Sequence, residues 1–133
     1  MQTLKESYAE AVGKLRKLKN QKIAAAYLFG SYLTDPKKAR DVDICIIGNL
    51  TELEMAELSL LFDKPVDISF MERMPFYVAI NVLRGRPIFV RDRAALSKKW
   101  MGVVRENFRL GRMRSRIYEG VNRWMSSGTA QTD

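Results

Sequence analysis

A short apolar run constrains the fold more than any other feature of the sequence. Residues Ile23–Phe29 (IAAAYLF) carry no charged side chain, and Gly30 and Ser31 follow them at once. A run of this length that ends at a glycine is typical of a buried strand rather than of a helix. The sequence therefore predicts a β-strand in the interior of the fold.

Helical and extended patterns alternate around this strand and predict an α/β (α+β) domain over residues 1–92. A Thr-x-x-Glu capping box marks one helix start, and a proline and a glycine bracket another helix. The predicted elements are a helix with apolar positions at Leu4, Tyr8, Ala11, Leu15 and Leu18, a strand with Val42, Ile44 and Ile46 on one face, a helix from Thr51 and Glu54 to about Phe62, a strand at Val66–Phe70, a helix between Pro75 and Gly85, and a short strand at Ile88–Val90.

Composition excludes several classes of chemistry. The 133 residues include no histidine and one cysteine, Cys45. Ser-His-Asp and Cys-His catalysis, the usual zinc sites and a disulfide within the monomer are thereby excluded, so any metal must be bound by oxygen, as magnesium, manganese and calcium are. The chain has neither an apolar run near 18 residues nor a signal-peptide core, which predicts a protein of the cytoplasm with no membrane span.

Two carboxylates share one face of the second predicted strand. Asp41 and Asp43 alternate with the apolar Val42 and Ile44, so both side chains point away from the core. Two acids so placed repel each other, and a divalent cation between them would relieve the repulsion. For Asp41 and Asp43 alone, a solvated strand face is the better interpretation.

A third acid and a glycine–serine turn strengthen the metal-site interpretation. Asp67 lies on the next predicted strand with apolar neighbours on both sides. If the two strands are adjacent, three carboxylates converge, an arrangement typical of two-metal phosphoryl or nucleotidyl transfer. Gly30 would let a phosphate approach the backbone, and the Ser31 hydroxyl would bind it. The alternative for Asp67 is a surface acid paired with a lysine.

In this order, Gly30-Ser31, Asp41-Val42-Asp43 and Asp67 resemble the signature of the DNA polymerase beta-like nucleotidyltransferases. The chain length is similar to that of the minimal nucleotidyltransferase (MNT) branch. The resemblance covers about residues 23–90 and implies a small mixed sheet with helices packed on one side. The loop between Ser31 and Asp41 is one residue shorter than the commonest MNT spacing and lacks the usual Arg-Gly pair.

The resemblance also implies roles for these residues. Gly30 and Ser31 would bind the triphosphate of ATP or another NTP. The loop cations Lys37, Lys38 and Arg40 would replace lost phosphate contacts, or else are simply solvated. Asp41 and Asp43 would bind two magnesium ions, and Asp67 would join them on one ion and help activate the acceptor hydroxyl. Because MNT proteins commonly pair with a helical HEPN protein, the acceptor hydroxyl would belong to such a partner.

The C-terminal region carries the entire net charge of +8, because positive and negative residues balance before residue 84. Residues 93–125 predict one long amphipathic basic helix or a helix pair broken at a glycine, and residues 126–133 a disordered tail. An apolar seam comprises Leu96, Trp100, Val103, Leu110, Met113, Ile117, Val121 and Trp124, and a basic stripe comprises Arg105, Arg109, Arg112, Arg116 and Arg123. A partner protein and, less favoured, nucleic acid are the two candidate ligands of this region, and packing on its own domain is the third interpretation.

Three functions follow from these patterns. The first is a magnesium-dependent nucleotidyltransferase that transfers AMP from ATP to a HEPN-type partner as the antitoxin of a toxin–antitoxin pair. The second is an antitoxin of the same fold that neutralises its partner by contact alone. The third is a nucleotidyltransferase that acts on RNA ends, which the basic C-terminal half favours.

Overall fold

The protein folds around a four-stranded mixed sheet. A computed structural model describes residues 2–131, except for the side chains of residues 114, 115, 117, 118 and 124–131. In chain order the elements are α1 (Leu4–Lys17), β1 (Ile23–Phe29), α2 (Ser31–Thr34), β2 (Val42–Gly48), α3 (Glu52–Leu60), β3 (Val66–Phe70), a 3₁₀ turn (Met71–Arg73), α4 (Phe76–Leu83), β4 (Arg86–Val90) and α5 (Arg93–Gln131). The predicted elements and the α/β fold class are thus confirmed.

The strand order is β3-β2-β1-β4, which places the apolar run Ile23–Phe29 in the sheet interior. β1 pairs antiparallel with both β2 and β4, whereas β2 and β3 are parallel. All of β1 except its last residue is buried, as its uniformly apolar sequence requires.

Helices cover both faces of the sheet, so the expectation that they pack on one side was wrong. Ile44 and Ile46 face the apolar residues of α1 and α3, while Cys45 and Ile47 face those of α4 and α5. The physical reason lies in β1 and β2, where consecutive residues are apolar. Both faces of these strands must therefore be removed from water, at a gain of about 1.5–3 kcal/mol for each large aliphatic side chain.

The C-terminal region forms one helix of 39 residues, about 58 Å long, rather than a helix pair. The Cβ positions of Gly102, Gly111 and Gly120 meet open space, and a glycine costs a helix only about 1 kcal/mol, so no break is required. The helix includes residues 126–131, and the disordered tail expected over residues 126–133 stays a prediction. The rest of that tail, residues 132 and 133, lies outside the described residues.

The apolar seam of α5 divides into a packed part and an exposed part. Val103 is buried, and Leu96 and Trp100 are partly buried against the same cluster as α4. Leu110 is half-buried, whereas Met113 and Val121 are exposed, as is Phe108 beside the seam. The predicted seam residues Ile117 and Trp124 lie outside the described side chains, and all five arginines of the basic stripe are exposed. Within residues 2–131, none of the helices combines the length and apolar character of a membrane span.

Candidate active site

The predicted site residues Gly30, Asp41, Asp43 and Asp67 form a row across β1, β2 and β3, which is called the carboxylate row below. In the register of the sheet, Asp43 of β2 pairs with Phe29 of β1 on one side and with Asp67 of β3 on the other. Gly30 directly follows Phe29, and Asp41 lies one residue before β2. Because adjacent strands lie about 4.8 Å apart, the carboxylates of Asp43 and Asp67 are immediate neighbours on one face.

Gly30 is required at its position for two reasons. Its φ of 80° lies in the left-handed region that favours glycine, and it is the N-cap of the short helix α2. A Cβ at this position would lie 2.5 Å from Oδ2 of Asp43, closer than atoms can pack. The Asp43 carboxylate therefore occupies the space that the missing side chain of Gly30 leaves open.

The carboxylates of this row repel one another. Partial burial raises the pKa of Asp43 above its ordinary value, the negative charges of Asp67 and Asp41 raise it further, and the nearby ammonium of Lys64 acts in the opposite direction. A raised pKa means that the ionised form of Asp43 is destabilised in the folded protein. A cation placed beside Asp43 would relieve this destabilisation.

Asp67 has a cationic partner in the structure. The Lys64 ammonium lies 2.8 Å from Oδ1 of Asp67 and donates a hydrogen bond to Oδ2 at 3.0 Å. The alternative interpretation of Asp67, an acid paired with a lysine, is therefore found in this structure. Sequence reasoning did not single out Lys64, although its position three residues before Asp67 was a usable signal.

The three carboxylates are near one another but do not form a ready-made metal site. In the described part of the chain, no three Asp, Glu or Cys side chains are gathered into a group that would hold a metal ion. The structure gives the reason, since Asp43 leans over Gly30 while both oxygens of Asp67 contact Lys64. Asp41, Asp43 and Asp67 remain the carboxylates of this row from which a site for an oxygen-liganded cation would be built.

The other predicted residues flank the row. Ser31 is the first residue of α2 and is exposed, and Arg40 is exposed on the bend beside Asp41. Beside Ser31, Tyr32 packs on α1, with its ring centroid 5.5 Å from that of Tyr8. Burial raises the pKa of Cys45 to about 12, so its thiol is neutral, as expected for a buried structural cysteine.

A cavity of about 550 Å³ lies away from the carboxylate row, at the other end of β2. Ala24, Ile47 and Asn49 line it from the sheet side, and Lys99 and Val103 line it from α5. No sequence pattern indicated this cavity, because it forms only where α5 crosses the sheet.

Comparison with known proteins places the chain in a described family. The family model "Polymerase beta, Nucleotidyltransferase" matches residues 14–94, which include the whole carboxylate row. No curated protein sequence matches the chain.

Several solved structures share the fold. A tri-AMPylated Shewanella oneidensis HEPN toxin in complex with its MNT antitoxin matches with a TM-score of 0.62 and 18% identity, over 86% of this chain and 98% of the matched chain. A toxin–antitoxin structure with AMP-PNP matches with a TM-score of 0.61 and 20% identity, over 85% and 96%. A toxin–antitoxin mutant in which two aspartates are replaced by glutamate matches with a TM-score of 0.60 and 19% identity, over 85% and 96%.

Proposed function

Because the chain belongs to the polymerase beta nucleotidyltransferase family, we propose that it transfers AMP from ATP to a hydroxyl group of a partner protein, with magnesium as cofactor. The observation that carries the proposal is the row of Gly30, Asp43 and Asp67 across β1, β2 and β3, with Asp41 beside it. We assign this activity to the cytoplasm, where ATP is abundant.

The residues of the row fit magnesium. Magnesium takes oxygen ligands and is usually bound by one or two carboxylates together with substrate phosphates. The repulsion that raises the pKa of Asp43 is the interaction that a divalent cation would relieve. Asp41 and Asp43 would bind the metal ions, and Asp67 would bind one of them. When bound, magnesium supplies neutralisation of the triphosphate charge and a lower pKa for the attacking hydroxyl.

This chain's own residues would bind and orient the reactants. Gly30 and Ser31, at the turn into α2, would contact the triphosphate, and Arg40 would add a positive charge beside it. In the reaction, the acceptor oxygen bonds to the α-phosphorus, and the bond from that phosphorus to pyrophosphate breaks. Asp67, on the edge strand of the sheet, would help remove the hydroxyl proton.

The structural neighbours favour a HEPN-type toxin as the acceptor. One of them is an MNT antitoxin bound to a tri-AMPylated HEPN toxin, and another structure contains AMP-PNP. In a third, two aspartates two positions apart are the mutated residues, the same spacing as Asp41 and Asp43 here. The exposed Phe108 and Met113 of α5 would contribute an apolar surface for such a partner.

A second candidate function, nucleotide transfer to RNA ends, is favoured by one observation. The exposed arginine stripe of α5 is suited to bind a phosphate backbone.

Labelled ATP separates the candidates. One reaction contains the chain, magnesium, α-labelled ATP and a HEPN partner encoded by the neighbouring gene. A parallel reaction contains a pool of RNA in place of the partner. We expect label on the partner, and a decrease of about 10²- to 10³-fold with Asp43→Asn, because a metal ligand contributes several kcal/mol to transition-state stabilisation. Asp63→Asn, the same change at an exposed acid four residues before Asp67, is the matched control and should retain transfer.

Each contrary result has a distinct meaning. Labelled RNA with an unlabelled partner would establish the RNA function instead. If Asp43→Asn neutralised the partner as well as the unmodified chain does, the protein would act as an antitoxin by contact alone.

A further inference from the structure

Lys64 occupies the position of a cation among the carboxylates. It precedes β3 by two residues, and its ammonium contacts both oxygens of Asp67, at 2.8 and 3.0 Å. Both oxygens that Asp67 would offer to a metal ion are therefore already in contact with a positive charge.

The charge of Lys64 acts on the whole row. The hydrogen bond to Asp67 raises the pKa of Lys64, and the charges of Asp67, Asp41 and Asp43 contribute in the same direction. The ammonium is thus stabilised in its charged form by all three acids. These are the same interactions that a divalent cation would make in its place.

The Lys64 ammonium can also dissociate from Asp67. Its side chain is 73% exposed, against 40% for that of Asp67. An exposed ion pair is weak, because water solvates each partner well when the pair separates. Since a divalent cation carries twice the charge of an ammonium group, it would displace Lys64 from Asp67 at small cost.

We propose that Lys64 is a resident competitor of the metal: it pairs with Asp67 while the site lacks a divalent cation, and it releases Asp67 when the cation binds. This inference rests on the proposed function, because it takes Asp67 as a metal ligand. Lys64 is on this view a positioning residue, which sets how tightly the site binds metal and where the Asp67 carboxylate points without it.

Metal binding itself is the test, without nucleotide or partner. The free Mn²⁺ concentration is followed by electron paramagnetic resonance as the metal is titrated into the full chain. We expect Lys64→Met to bind Mn²⁺ about three- to tenfold more tightly, because one weak ion pair and one repelling charge are removed. Lys64→Arg keeps a positive charge paired with Asp67 and should not show this gain in Mn²⁺ affinity.

A matched control removes a lysine elsewhere. Lys22 lies 2.8 Å from Glu54 in an ion pair of the same kind, outside the row. Lys22→Met lowers the net charge equally and should leave Mn²⁺ affinity unchanged. An equal gain in both variants would mean a general charge effect, and would overturn the inference.

A further variant separates failure of the inference from failure of the proposed function. Asp43→Asn should weaken Mn²⁺ binding strongly. If it does so while Lys64→Met leaves the affinity unchanged or lower, the competition is disproved and the metal site stands. If Asp43→Asn has no effect on Mn²⁺ binding, the proposed metal site itself is wrong, and the inference fails with it.

Discussion

The carboxylates at the two ends of β2 have pKa values that are shifted in opposite directions. At the end of β2 near Gly48, Glu54 accepts hydrogen bonds from Lys22 at 2.8 Å, Asn20 at 3.0 Å and the Thr51 backbone at 3.1 Å. These contacts, the Lys22 bond foremost, lower the pKa of Glu54 to about 2. At the other end, burial and neighbouring acids raise the pKa of Asp43.

This difference distinguishes a carboxylate whose charge stabilises the folded protein from one whose charge destabilises it. Glu54 completes a capping box at the start of α3 and also accepts hydrogen bonds from Asn20 and Lys22 in the loop between α1 and β1. Its charge therefore contributes to stability. The charge of Asp43 is opposed by Asp41 and Asp67, so it costs stability in the absence of a cation. Acids of the second kind are enriched at functional sites, which is why the row is the better candidate for chemistry.

The largest expected effect comes from the glycines at these two ends. Gly30→Ala would place a methyl group 2.5 Å from Oδ2 of Asp43 in a left-handed backbone. We expect it to cost about 1–2 kcal/mol of stability and to lower nucleotide transfer at least about tenfold, because Asp43 must move.

Gly48→Ala is the comparison variant at the opposite end. Its new methyl group would meet the Lys22 carbonyl oxygen, so we expect a loss of about 1–3 kcal/mol of stability. Transfer, measured at a temperature at which the variant is folded, should be retained. Urea unfolding and transfer assays on both variants are the measurements, and equal loss of transfer in the two would remove the functional distinction between the ends.

A smaller effect is expected on stability, with opposite signs at the two ends. Without metal, Asp43→Asn should stabilise the protein by about 0.5–1 kcal/mol, the size of a like-charge pair across neighbouring strands. Glu54→Gln should destabilise it, because the amide replaces a charged acceptor of three hydrogen bonds. Thermal unfolding in the presence of a chelator measures both, and a destabilised Asp43→Asn variant would contradict the comparison.

The smallest effect is the pH dependence of these differences. The lowered pKa of Glu54 means that its stabilisation is complete above its ordinary value of 4.5 and is lost as the pH falls towards about 2. The raised pKa of Asp43 has the opposite sign: its cost is absent below 3.8 and develops as the pH rises through its folded-state pKa. The gain in the free energy of unfolding from Asp43→Asn should therefore grow as the pH rises. The loss in the free energy of unfolding from Glu54→Gln should shrink as the pH falls.

Local sequence was sufficient wherever a short pattern decides the structure. The apolar run of β1, the Thr51–Glu54 capping box and the alternation in β2 each specify an element through neighbouring residues. The presence of Asp43 and Asp67 on strands followed from the same patterns. Their pairing did not, because parallel strands such as β2 and β3 are joined by a crossover whose path local residues do not specify.

One expectation about packing was wrong, and one alternative that the sequence left open was decided, for a related reason. Whether helices cover one face of a sheet or both depends on where α4 and α5 pack, and that is settled by burial of Cys45 and Ile47 on the second face. Likewise, the three glycines of α5 left a continuous helix and a helix pair equally open from the sequence. The helix is continuous because nothing crowds the Cβ positions of these glycines and because α5 packs on the domain at Val103.

By itself, the sequence determined which residues are available for chemistry: no histidine, three aspartates on or beside strands, and a glycine–serine turn before them. Only the tertiary structure decided that Asp43 stands between Gly30 and Asp67, and that Lys64 is paired with Asp67. The physical reason is the difference in sequence separation between the residues that interact. Residue types and their local spacing fix strands and turns, but repulsion, desolvation and ion pairing act between strands, and their strength depends on distances that exist only once the chain has folded.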